Sequence, residues 1–197
     1  VTTLGGGLLA LVARDGPLPF PRASFQPSQA LRVVRDRRVR LASYGYFGHM
    51  WELYAMWAWI GAYLATAFRA SGVDAPQTAA SFAAFAAIGV GALGCVVGGV
   101  MGDRRSRTWA TSVAMLSSGA AAAVAGAVIG APAWMVVAVA IFWGFWVVAD
   151  SAQFSTLVTE VCDQRYVGTA VTLQLAVGFT LTVATIWLVP VLVDTVL

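Results

Sequence analysis

Polar and apolar positions along this chain are not interleaved; they fall in long blocks. Apolar blocks cover 41–68, 77–101, 108–130, 134–158 and 166–190, with short charged segments between them. A helix needs about 20 mostly apolar residues to cross roughly 30 Å of hydrocarbon, and each of these blocks is long enough. Three of them, 77–101, 108–130 and 166–190, contain no Asp, Glu, Arg or Lys. They lack the alternation of barrel strands, and they are apolar all round, unlike the surface helices of a soluble domain. The pattern predicts an all-α polytopic membrane protein with five membrane helices.

Composition strengthens this reading. The 197 residues are 59% hydrophobic and 11% charged, whereas soluble domains carry about 25% charged residues. All 12 basic residues are Arg, and the net charge of +3 is set by loops. It is no nucleic-acid footprint. Arg instead reports orientation, because basic residues are held on the cytoplasmic side. The segment 14–40 holds Arg14, Arg22, Arg32, Arg35, Arg37, Arg38 and Arg40; 102–107 holds Arg104, Arg105 and Arg107; 159–166 holds Arg165. The alternate loops hold only Arg69. Segments 14–40, 102–107 and 159–166 are therefore expected in the cytoplasm of a cell (plasma or inner) membrane protein.

Residues 1–13, VTTLGGGLLALVA, are apolar but would span only about 20 Å as a helix. No basic residue precedes them, as a signal peptide would require. They are expected to be the end of a truncated membrane helix, 14–40 a basic cytoplasmic linker, and 41–197 the five-helix transmembrane part. Within the linker, Pro17, Pro19, Pro21 and Pro27 precede the run QALRVVRDRRVR. That run is expected to lie along the membrane surface as a basic amphipathic helix.

The charged turn at 99–107 reads GVMGDRRSR. Gly102 would permit a close turn, and Ser106 would cap the helix starting near Thr108. The spacing Gly99-x-x-x-Asp103-Arg104-x-Ser106-Arg107 resembles the loop signature of the major facilitator superfamily, Gly-x-x-x-Asp-Arg-x-Gly-Arg-Arg. Here Ser106 stands for the second glycine and Thr108 for the last basic residue. The signature lies between the second and third helices of that family, and often again between the eighth and ninth. A long basic loop after the sixth helix and one hairpin precede the second copy. The linker 14–40, the blocks 41–68 and 77–101, and the turn 99–107 fit that order. The resemblance implies the second half of such a transporter: the end of helix six and helices seven to eleven, truncated at both ends. It also implies that Asp103, Arg104 and, less directly, Arg107 make interhelical contacts that steady one access state.

Ionisable groups at membrane depth are costly and face a cavity or a partner. His49 and Glu52 share one helical face with Gly45, Met56, Trp59 and Tyr63, and their i, i+3 spacing lets them touch. Two readings stand for the pair: proton or substrate handling, and a structural pair bridging to another helix. Asp150 and Gln153 follow Trp143 and Trp146, and aromatic rings beside one acid suit an amphipathic or cationic organic substrate. The alternative is interfacial Trp facing lipid, with Asp150 near the inner boundary. Gln174 is a third candidate. The resemblance places helices seven, ten and eleven around the central cavity. Gly94, Gly98 and Gly102 form a small-residue face that permits close helix packing; the resemblance implies that it meets the other half.

The expected function is secondary active transport of a small solute by alternating access, proton-coupled, with aromatic lining favouring export of an organic compound. The implied partners are the substrate, the lipid bilayer and the missing N-terminal six-helix half. The alternative is a small membrane subunit that self-associates through the glycine face and has no transport activity of its own. No enzyme activity is expected: Gly-x-Ser-x-Gly is absent, His49 is the only histidine, and 100–103 read Val-Met-Gly-Asp where an aspartyl membrane protease would carry Gly-x-Gly-Asp. Cys95 and Cys162 have no metal spacing and are not expected to pair. No metal and no cofactor is implied.

Overall fold

The computed structural model describes residues 11–12 and 27–196. The expectations for the rest of 1–26 lie outside the described residues. Seven helices make up the described chain beyond residue 26: α1 (Pro27–Arg35), α2 (Arg37–Ala70), α3 (Pro76–Arg104), α4 (Arg107–Ala127), α5 (Ala133–Ala149), α6 (Ser151–Val161) and α7 (Val167–Val196). Strands are absent among the described residues. Among the described residues, four stretches are long and apolar enough to cross a membrane: Pro76–Arg104, Arg107–Ala127, Ala133–Val161 and Val167–Val193. The chain is an all-α helical membrane protein. All five predicted blocks are helical, but α2 is not among those four. It carries His49, Glu52 and a run of Trp and Tyr that lower its apolarity.

The linker boundary shifts. The basic run does not form one amphipathic helix, because Asp36 ends α1 and caps α2. Its Oδ1 accepts from the backbone N–H of Arg38 at 2.8 Å and of Val39 at 3.4 Å, which satisfies two of the donors a helix start leaves free. Arg37 to Arg40 therefore belong to the first turn of α2, not to the linker. α1 is docked: Val33 is buried with Val39, Val158, Cys162 and Ala170, and the Arg32 guanidinium donates to the Tyr166 hydroxyl at 3.2 Å.

At the α3–α4 corner Ser106 behaves as expected. Its Oγ accepts from Trp109 N at 3.1 Å, and α4 starts at Arg107. Gly102 does not make the turn; it lies inside α3. At the opposite end of the bundle Gly72 adopts φ +69°, a left-handed conformation suited to glycine. The Ser71 hydroxyl beside it reaches the Ala131 carbonyl at 2.6 Å, joining two loops.

The packing of α3 on α5 is set by glycine. A Cβ on Gly94 would collide with the carbonyl oxygen of Phe145, one on Gly98 with that of Ala149, and one on Gly144 with that of Ala87. Backbones approach this closely only where side chains are missing. The small-residue face expected to meet another half thus packs inside the chain. Phe82, Phe85, Leu93 and Val96 on α3 are exposed instead.

Candidate functional site

The helix that begins at Ala133 breaks at Asp150. α5 ends at Ala149 and α6 starts at Ser151, with Asp150 at φ −100° and ψ −4° between them. Asp and Ser side chains compete with helix backbone for hydrogen bonds, so Asp150-Ser151 is a natural place for the interruption. The break sends both side chains to α2. His49 Nδ1 lies 2.9 Å from Asp150 Oδ1, and His49 Nε2 is 3.0 Å from Ser151 Oγ. His49 is 3% exposed and Asp150 2%, so this is a desolvated pair. The contact is close but lacks hydrogen-bond alignment, since Asp150 Oδ1 has no hydrogen-bond partner among the described residues.

Aromatic rings wall this pair. Phe154 lies 5.6 Å from the His49 ring and Tyr46 6.3 Å. Two glycines make room for them: a Cβ on Gly45 would meet the Phe154 ring at 2.6 Å, and one on Gly178 would collide with the Tyr46 ring.

His49 and Glu52 do not pair, contrary to the spacing argument; no hydrogen bond or ion pair joins them among the described residues. Facing positions on one helix allow contact, but each side chain has a better partner on another helix. Glu52 Oε1 accepts from Trp143 Nε1 at 3.1 Å, and Oε2 accepts from Ser118 Oγ at 3.0 Å. Ser118 Oγ also lies 3.2 Å from the Met115 carbonyl. A hydroxyl has one hydrogen and two lone pairs. Ser118 can therefore donate to an ionised Glu52, or donate to Met115 and accept from a protonated Glu52. Glu52 thus keeps its contacts to Ser118 and Trp143 in either protonation state, and only the Ser118 bond to the Met115 carbonyl is exchanged.

Beside Glu52, between α2, α4 and α5, lies a cavity of about 190 Å³ lined by Met56, Trp59, Tyr63, Ala125 and Trp143 among others. The Trp59 indole N–H is buried and has no hydrogen-bond partner among the described residues. Tyr63 spends its hydroxyl on the Ala125 carbonyl at 2.7 Å.

The remaining candidates separate. Trp146 meets the edge of the Phe145 ring at 5.1 Å and lies 6.2 Å from Phe142, whereas Trp143 reaches Glu52. Gln153 leaves the Asp150 cluster for the α3–α4 corner, where its Oε1 accepts from Arg107 Nη1 at 3.0 Å. Gln174 is buried elsewhere, on α7.

At that corner Arg107, not Arg104, carries the interhelical contacts. Its Nη1 lies 2.7 Å from Asp103 Oδ1 and its Nε 3.3 Å from Glu160 Oε1, so one guanidinium ties α3, α4 and α6. Gly102 is needed here because a Cβ would collide with Gln153 Oε1. Gly99 has open space around it. Arg104 is exposed and its side chain has no partner among the described residues, while Arg105 lies over the Trp109 ring at 4.6 Å.

Sequence reasoning missed Ser118, Ser151 and Glu160. Small hydroxyl residues are common packing elements in membrane helices, so neither serine stood out. Glu160 was one more acid at a loop edge. In the following loop, the Arg165 guanidinium holds the Asp163 carboxyl below its ordinary value, and burial pushes the Cys162 thiol up.

The chain matches no family model, no curated protein and no solved structure.

Proposed function

We propose that this chain is part of a proton-coupled secondary transporter of the major facilitator type, working in a cell membrane on an amphipathic or cationic organic solute. The observation that carries the reading is the buried polar cluster: His49 against Asp150 at a helix break, with Glu52 one turn away in a setting that suits both of its protonation states. Desolvated ionisable groups are expensive at membrane depth and mark proton or substrate pathways. Discontinuous helices contribute to midplane sites in transporters. The aromatic cavity beside Glu52 supplies π-faces and a nearby carboxylate, which suit a cation.

The charged corner fits the same reading. Gly99, Asp103 and Arg107 stand at positions of the family signature, and Arg107 gathers three helices there. On the Arg distribution, this corner and segments 14–40 and 159–166 face the cytoplasm. A six-helix partner half completes the alternating-access unit. The self-associating subunit is the weaker reading, since Gly94 and Gly98 are spent on α5.

The test uses the whole protein containing this chain, in inside-out vesicles energised by a pH gradient. A panel of aromatic organic cations that includes ethidium is supplied, and transport is followed with gradient dissipation. Gradient-dependent movement is expected, and Glu52→Gln should abolish its proton coupling while the protein stays folded, because Gln can still accept from Trp143. Movement of no member of the panel, or undiminished coupled transport in Glu52→Gln, overturns the reading.

A further inference from the structure

We propose that the groove between α1, α2 and α7 is a binding site for one anionic phospholipid. The groove, about 190 Å³, is lined by Arg40, Ser43, Tyr44 and Gln174 among apolar residues that include Val33 and Val177, and no acidic side chain lines it among the described residues. The inference does not depend on the transport reading; it rests on the membrane-embedded fold alone.

The first observation is Gln174. It is 2% exposed, and among the described residues neither Oε1 nor Nε2 has a hydrogen-bond partner. A buried amide left unpaired is costly, and this one needs both an acceptor and a donor. The second observation is charge. Arg40 is exposed, as are its neighbours Arg35, Arg37 and Arg38, and the side chains of these four make no hydrogen bond or ion pair among the described residues. The side chains of Ser43 and Tyr44 make no hydrogen bond among the described residues either. The third observation is order with depth. Arg40 lies about 5 Å past the start of α2, and Gln174 about 10 Å past the start of α7, at 1.5 Å per residue. From the helix ends inward, the groove presents a guanidinium, two hydroxyls, an amide and then apolar wall.

A phospholipid presents the matching sequence of groups. Its phosphate meets Arg40, and its glycerol ester carbonyl accepts from Gln174 Nε2. A headgroup hydroxyl donates to Gln174 Oε1, and an acyl chain lies against Val33, Leu173 and Val177. The need for a donor favours phosphatidylglycerol over phosphatidylcholine, which has none. Anchoring of α1 through Arg32 and Tyr166 keeps the groove formed.

The experiment is native mass spectrometry of the protein released from micelles that contain equal amounts of phosphatidylglycerol and phosphatidylcholine. One phosphatidylglycerol is expected to be retained in preference. Arg40→Gln should weaken its retention about fivefold, the factor one basic residue near the charge contributes. Gln174→Leu should weaken it by about the same factor. Arg35→Gln, in the same basic cluster but outside the groove, should leave it unchanged. Arg40 is exposed, so that variant tests the site even where Gln174→Leu disturbs folding. Equal retention of the two lipids, or equal loss in Arg35→Gln and Arg40→Gln, overturns the proposal. So does retention in a folded Gln174→Leu protein, or displacement by free glycerol phosphate at lipid concentration, since the apolar walls would then contribute nothing.

Discussion

The chain carries two polar networks, and they differ in where they sit. Around Arg107, four polar groups meet at a helix corner open to solvent: Asp103 is 69% exposed and Glu160 51%. Around His49, Asp150, Ser151 and Glu52, the groups sit inside the bundle. The same chemistry is cheap in one place and expensive in the other, because water screens exposed pairs while a buried ion has only its protein partners. The corner is redundant: Arg107 keeps two partners when any one is lost. The interior is not, since His49 is the one ion-pair partner of Asp150 among the described residues. Redundant exposed charge suits a contact that must form and break, and sparse buried charge suits a site whose protonation matters.

The sharpest way to break this comparison is Asp150→Ala. Removing one partner of a buried pair costs about 3–5 kcal/mol, and a fall of the unfolding midpoint in detergent of that order is expected. His49→Leu made on top should recover part of the loss, which a double-mutant cycle would measure. A fall no larger than for a corner variant would erase the distinction between the two networks.

Gly98→Ala comes next, because its Cβ would strike the Ala149 carbonyl immediately before the break. Overpacking costs about 1–3 kcal/mol, and the shift of α5 should loosen the His49–Asp150 contact as well. Gly99→Ala, one residue on and facing open space, is the matched control and should leave the melting curve unchanged. Equal effects at both positions would show that helix propensity, not backbone approach, sets the response.

At the corner, Asp103→Asn should change stability by less than about 1 kcal/mol, because Arg107 keeps Gln153 and Glu160. On the transport function proposed above, it should slow turnover more than it weakens apparent substrate affinity. A pure loss of affinity would remove the corner from the conformational step. The smallest effect belongs to the Asp163–Arg165 pair, 2.8 Å apart. Its folded-state carboxyl is lowered, so its contribution is present above the ordinary aspartate value and fades as pH falls through the lowered one. Both groups are solvent-exposed, so Asp163→Asn should flatten the acid limb of a melting-point profile only slightly. A large flattening would mean that this loop is coupled to the core.

How much was legible in advance depended on range. The helices, the Ser106 cap and the membrane class followed from local facts: block length, apolarity and a capping residue next to its own helix. His49, Glu52 and Asp150 were legible as candidates, since an ionisable group in an apolar block stands out alone. Their pairing was not. Helical periodicity ranks neighbours on one helix and knows nothing of the helix across the gap, so it offered Glu52 to His49 when Asp150 was nearer. The same limit hid Ser118 and Ser151, and it misplaced Gln153, because the Asp150 break rotates the residues that follow it.

By itself, then, the sequence determined that this protein is a bundle of membrane helices, and which side chains would be costly within it. Hydropathy and helix length are properties of contiguous residues, and a membrane reads them directly. Only the tertiary structure decided which of those side chains meet. That depends on how close two backbones come, and here the distance is set by glycines at 94, 98 and 144, whose effect exists only when a second helix is present to fill the space they leave.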